Sequence, residues 1–126
     1  MQPQPRNTRQ KEAIRAAFLA ADRPLSHDEA LILAKQHVSG LSIATVYRNV
    51  NLLVEERWLT PVGIPGDNTR YEVAGKEHHH HFQCNGCGKL FELAGCGVEV
   101  KPELPPGFSS TGHEFFVYGF CDLCAA

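Results

Sequence analysis

Three helix-forming stretches, then two short strands around a Gly/Pro/Asn turn, then two widely separated Cys-x-x-Cys pairs predict an α+β fold in two parts. The first part reads as a winged helix-turn-helix domain, and the second as a small α/β domain closed by a four-cysteine zinc site. Residues 1–74 fall to the first, 75–77 to a hinge around Gly75, and 78–126 to the second.

The chain's 126 residues suffice for one ordinary domain or two small ones. No stretch approaches the length of a transmembrane helix, so a soluble, cytoplasmic protein without a membrane partner is expected. The formal charge of −2 announces no nucleic acid by itself. Its distribution says more: residues 1–60 carry 8 Lys/Arg against 6 Asp/Glu, and residues 61–126 carry 4 against 8. Arg6, Arg9, Lys11 and Arg15 cluster at the start, which fits phosphate contacts as well as an ordinary solvated helix face.

From Thr8 the apolar residues Ile14, Ala17, Phe18 and Ala21 share one helical face until Asp22-Arg23-Pro24 stops the pattern. Ser26 followed by Glu29 is a capping box, opening a second helix with the stripe Ala30, Leu33, Ala34, Val38 and a stop at Gly40. Ser42 caps a third helix to about Glu56, with Val46, Val50, Leu53 and Val54 inward. Leu59–Val62 and Thr69–Val73 flank a turn over 63–68 and read as a hairpin. A hairpin directly after three short helices is the layout of a winged helix. The third helix is then the one that enters a major groove, offering Thr45, Tyr47, Arg48, Asn49 and Asn51 outward. Tyr47 is the most telling, because a large outward aromatic beside Arg48 has little structural reason to be there.

His78 to Cys87 hold six potential metal ligands in ten residues. Cys84 and Cys87 need two more thiolates to close a tetrahedral site, and Cys121 and Cys124 supply them. Five cysteines without a signal peptide suit thiolate chemistry in a reducing compartment better than a disulfide framework. If Glu77 to Gln83 is a strand, His78 and His80 face one way while His79 and His81 face the other. One strand thus feeds two further metal sites. Cys96 is left over, as a small buried hydrophobe or a redox-sensitive or ligating thiol.

Arg6-x-Thr8-x-Gln10-Lys11, Ala44-Thr45-Val46-Tyr47-Arg48, Arg70-Tyr71-Glu72, the four histidines, Cys84-x-x-Cys87-Gly88 and Tyr118-Gly119-Phe120-Cys121-x-x-Cys124 together resemble the ferric-uptake-regulator family over nearly the whole chain. The resemblance implies a cytoplasmic homodimer whose C-terminal domain dimerises and whose winged helix represses transcription from a palindromic operator in double-stranded DNA. It implies no enzyme activity. It further implies a structural Zn2+ on the four cysteines and a regulatory Fe2+, Zn2+ or Mn2+ on Glu72, His79, His81 and Glu92. A second metal site would take His78, His80, Glu99 and His113. Arg6, Arg15, Thr45, Tyr47 and Arg48 become the expected DNA contacts.

Two departures bear on this. Many members place a further histidine ligand where this chain has Arg23 or Pro24, so His27 is the available substitute. Pro102, Pro105 and Pro106 interrupt a stretch that is usually a longer helix, which would alter the dimer interface. Zinc-uptake, manganese and peroxide-sensing regulators share the ligand types. Outside the family stand a zinc-binding interaction module without DNA binding and a metallohydrolase; the latter lacks an HExxH motif.

Overall fold

The computed structural model describes residues 5–64, 66, 68–95 and 103–125. The chain divides into two compact units, Met1–Gly75 and Lys76–Ala126. No helix among the described residues is long and apolar enough to cross a membrane.

The first unit opens with α1 (Arg6–Ala21), which begins two residues before the expected Thr8. Pro5 explains the earlier start: it has no N–H to orphan, and its carbonyl accepts the Arg9 N–H at 3.1 Å. Asp22 ends the helix in the left-handed region at φ 49°, a conformation that aspartate tolerates better than most residues. In α2 (His27–Ala34) the capping box is complete, with the Glu29 N–H donating to Ser26 Oγ and the Ser26 N–H donating to Glu29 Oε1, both at 3.1 Å. This helix ends at Ala34 and does not run to Gly40. The Gln36 and His37 N–H groups reach back only three residues, to the Leu33 and Ala34 carbonyls. The last turn therefore tightens and unwinds before Gly40, whose φ of 76° serves the following turn.

Helix α3 (Ile43–Glu55) is capped by Ser42 Oγ, which accepts the Thr45 N–H at 3.2 Å. At its other end the Arg57 N–H donates to the Val54 carbonyl and the Trp58 N–H to that of Leu53. This is a Schellman turn with Arg57 at φ 63°, where glycine is the usual occupant. Strands β1 (Leu59–Val62) and β2 (Arg70–Val73) then pair antiparallel, Leu59 opposite Val73. Leu25 and Tyr71 exchange two backbone hydrogen bonds of 2.8 and 2.9 Å, which tie the hairpin to the α1–α2 connection.

The core of this unit joins Ile14, Ala17 and Phe18 of α1, Ala30 and Ala34 of α2, and Val46, Val50 and Leu53 of α3, with Leu25, Leu41 and Leu59. Each large member contributes about 1.5–3 kcal/mol by leaving water. Glu29 also binds Arg23 at 2.8 Å and Arg70 at 3.5 Å, so one carboxylate links the α2 cap to the hairpin.

Among the described residues, the second unit forms a three-stranded sheet in the order β4-β3-β5. Strand β3 (His79–Cys84) is central, antiparallel to β4 (Leu90–Ala94) and parallel to β5 (Phe116–Gly119). It starts two residues later than expected and runs on to Cys84. The central strand thus carries imidazoles at one end and a thiol at the other. Residues 103–115 form no helix, in keeping with Pro105 and Pro106, while Pro102 lies outside the described residues.

Candidate metal centres and nucleic-acid interface

The β3–β4 turn is the first cysteine knuckle, closed by the Gly88 N–H on the Cys84 carbonyl and the Cys84 N–H on that of Lys89. The Asn85 N–H donates to the Gly119 carbonyl, so the end of β5 brings the second knuckle alongside. All four sulfur atoms of Cys84, Cys87, Cys121 and Cys124 lie within 4.8 Å of one another. The Cys87 and Cys121 sulfurs are 3.9 Å apart. Zinc–sulfur bonds of about 2.3 Å at the tetrahedral angle put two sulfurs about 3.8 Å apart. The spacing fits zinc.

Cys84 Sγ accepts the N–H groups of Gly86, Cys87 and Cys121 at 3.3–3.4 Å. Donation from Cys121 foremost, then Cys87 and Gly86, outweighs burial and lowers its pKa to about 6, so it is the sulfur most ready to ligate as thiolate. Cys124 is pushed up to about 12, first by the neighbouring Cys121 sulfur and then by Cys84, burial and Cys87. Four thiols that crowd one another this way cannot all ionise without a cation among them. At Gly86 a Cβ would come within 2.9 Å of the Cys124 Cβ and Sγ, so only glycine lets the knuckles approach.

A second cluster forms on one face of β3. The nitrogen donors of His78, His80 and His113 also lie within 4.8 Å of one another. His80 is buried, 2% exposed, and its ring stacks on Phe115 at 3.8 Å. Burial, with the neighbouring imidazoles of His78, His113, His81 and His79, holds its pKa below the ordinary 6.5. A neutral imidazole is the ligating form. Glu99, assigned to this set by the resemblance, lies outside the described residues, as does Cys96.

On the other face His79 and His81 stand with ring centroids 4.8 Å apart. Glu92 of β4 is opposite His81 in the sheet register, and its carboxylate is engaged by the Lys76 ammonium. Glu72 sits in the first unit, buried on β2. His27, the available substitute ligand, packs against the rings of Tyr47 and Tyr71. On a two-residue repeat Tyr71 and Glu72 point to opposite faces of β2, which separates His27 from the carboxylate.

The expected DNA contacts belong to the first unit. Arg6 and Arg48 are exposed, and Tyr47 is 49% exposed. Arg6 and Arg9 line a cavity of about 360 Å³ with Gln10, His37, Val38 and Ser39. Arg15 is partly committed, its guanidinium lying 4.8 Å over the Trp58 ring. Thr45 is half-buried, its hydroxyl 3.0 Å from that of Ser42. Asn49, expected outward, is instead buried and donates from Nδ2 to the Thr45 carbonyl at 2.9 Å. Its amide satisfies the α3 backbone in place of meeting a partner. Tyr47 has the structural contact that its sequence position did not suggest, a stack on His27 that no helical or strand periodicity would reveal.

A three-helix unit with a β-hairpin wing, followed by a sheet bearing clustered thiols and imidazoles, defines a metal-binding transcription regulator. The chain belongs to the ferric uptake regulator family, whose sequence profile matches residues 2–118. It is 34% identical over 122 residues to the ferric uptake regulation protein of Campylobacter jejuni, covering 93% of this chain and 78% of that one. The solved ferric uptake regulator of Helicobacter pylori, with three functional metal binding sites, superposes with a TM-score of 0.65 at 25% identity, over 93% of this chain and 80% of that one. The peroxide stress regulator of Campylobacter jejuni superposes at 0.55 and 29% identity, over 69% of this chain and 63% of that one.

Proposed function

We propose that this chain is a metal-dependent repressor that binds a palindromic DNA operator as a homodimer. The observation that carries the reading is the division of four consecutive imidazoles, His78 just before β3 and His79 to His81 on it. His78 and His80 meet His113 of their own unit, while His79 and His81 share the opposite face. Glu72, His79, His81 and Glu92 are the regulatory donors in this reading, and His78, His80, Glu99 and His113 form a second site. The four cysteines hold structural zinc. The Helicobacter pylori relative, with its three functional sites, supports the same number here.

A divalent ion supplies the positive charge that lets carboxylates and neutral imidazoles of separate units share one partner. Glu72 is the one donor in these sets that belongs to the DNA-binding unit. Glu72 therefore gives metal occupancy a way to bias the angle of the winged helix, with Gly75, at φ 83°, as the swivel. His78, His80 and His113 lie within one unit and can only stiffen it. A coupling of about 1–3 kcal/mol gives about 5- to 150-fold stronger operator binding. Tyr47 and Arg48 read base edges from α3, and Arg6 and Arg15 add phosphate contacts.

The donor types suit Fe(II), Mn(II) and Zn(II), and affinity order alone favours zinc over the other two. The test is a titration of duplex binding with each metal for the native chain, His81→Ala and His80→Ala. His81→Ala should abolish the metal response and keep the thiolate-bound zinc, whereas His80→Ala should keep a partial response. A dead His80→Ala beside a responsive His81→Ala would reverse the assignment.

A further inference from the structure

Three rings from three elements of the first unit lie against one another. His27, the first residue of α2, stacks on Tyr47 of α3 with centroids 3.7 Å apart and planes within 7°. Tyr71 of β2 meets the same imidazole edge-on, at 5.0 Å and 66°. Two residues before His27, Leu25 is bonded to Tyr71 through both backbone groups. The imidazole is thus a spacer between the wing strand and the third helix, with the backbone two residues before it anchored to the wing.

A histidine is an odd choice for local stability at this point. Its Nε2 is buried and has no hydrogen-bond partner among the described residues. Such an atom costs free energy that a phenyl ring would not. Burial also holds the imidazole below its ordinary pKa against the pull of the neighbouring Asp28. What the stack does provide is orientation. Tyr47 remains 49% exposed, and an exposed tyrosine without neighbours would exchange rotamers on the picosecond to nanosecond scale. Covering one face of its ring removes that freedom before any partner arrives, which lowers the ordering cost of a contact.

We propose that His27 is a positioning residue for sequence reading: stacked on Tyr47 and met edge-on by Tyr71, it holds the Tyr47 ring where α3 meets DNA bases, and so sets discrimination by acting through Tyr47. This rests on α3 being the recognition helix. Because the wing strand is fixed to the same stack, the orientation of Tyr47 follows the wing and not α3 alone.

The test uses the full-length, metal-loaded chain. The probes are a duplex selected from a randomised library by the native chain and a scrambled duplex of equal composition. His27→Ala should lower the affinity ratio between them about tenfold, with the scrambled duplex and the salt dependence unchanged. His27→Phe should stay within about twofold of the native ratio, because it keeps a flat ring in the stack. In a Tyr47→Ala background, His27→Ala should have no further effect. Tyr47→Ala losing discrimination while His27→Ala keeps it would overturn the positioning role alone. So would equal losses on both duplexes, or a His27→Ala effect that persists without Tyr47. An unaltered ratio in Tyr47→Ala would overturn the recognition-helix reading and the positioning role with it. Should His27→Ala melt early, the comparison of His27→Phe with the native chain still decides, and a loss there as large as in Tyr47→Ala sinks the proposal.

Discussion

The Nε2 atoms of His78 and His80 stand 3.0 Å apart. Two nitrogens each about 2.1 Å from one ion are separated by about 3.0 Å at a right angle and about 3.4 Å at the tetrahedral angle. The separation matches the right-angle case, which belongs to five- and six-coordinate ions, and His113 lies close enough to be a third donor. A proton shared between the two rings gives a similar distance. Metal analysis distinguishes them: His113→Ala should cost about one equivalent of metal outside the cysteine site. An unchanged metal content would leave the imidazoles as a hydrogen-bonded pair.

The cysteine site should behave as a folding element. Its four sulfurs close the sheet by joining the β3–β4 turn to the segment after β5, and structural zinc in comparable small sites contributes about 10–16 kcal/mol. Cys84→Ser or Cys121→Ser should therefore unfold the second unit and leave the helical signal of the first. Gly86→Ala should give a milder form of the same defect, because its Cβ meets the Cys124 side chain at 2.9 Å. Circular dichroism with and without a chelator measures this, and a Cys84→Ser chain with native melting would count against it.

Glu29 makes the first unit acid-sensitive. Burial raises its pKa, but the Ser26 N–H, then Arg23 and Arg70, together bring it below the ordinary 4.5. A depressed carboxyl contributes stability that is fully present above 4.5 and lost as pH falls through the lower folded value. Glu29→Gln should cost about 1 kcal/mol at neutral pH, the usual worth of a capping interaction with a partly screened ion pair. It should also flatten the acid limb of the stability curve. Urea unfolding at pH 7 and pH 3.5 would show the two chains converging; a constant gap would refute the linkage.

Among basic residues the two faces of DNA recognition should separate. Arg48→Ala should cost about 1–3 kcal/mol on the preferred duplex and little on a scrambled one. Arg6→Ala should weaken both alike and lower the salt slope by about one. Arg6 is the cleaner comparison than Arg15, whose loss would also remove the Trp58 contact, worth about 0.5–1 kcal/mol. Binding isotherms at several salt concentrations resolve the pair.

What was legible in the sequence was what depends on period and spacing. Ser26 with Glu29, Ser42 before Ile43, the hairpin after Trp58 and the alternation of His78 to His81 each rest on residues within a few positions of one another. The misses came from contacts between distant positions or from backbone detail. Val38 continues the apolar stripe of α2, yet the helix stops at Ala34 because hydrogen bonding shifts to a three-residue repeat. Asn49 looked outward by composition, but its amide folds back on Thr45. Arg57 occupies a left-handed site that sequence reading reserves for glycine. The ring contacts of His27 were equally invisible to local pattern, because they depend on the packing of α2 against α3 and β2.

The parallel pairing of β3 with β5 sets an order of events during synthesis. The first unit can fold once the ribosome has released residue 75, since every element it uses lies behind that point. The second unit has to wait: its central strand gains one neighbour from β5, and its two cysteine pairs join only after Cys124 emerges. A message truncated or a ribosome stalled in between would release a folded helical unit attached to a two-thiol hairpin with an open sheet edge. Such a product would carry one cysteine pair without the other, so the sheet and its four-sulfur site close only when both knuckles are present.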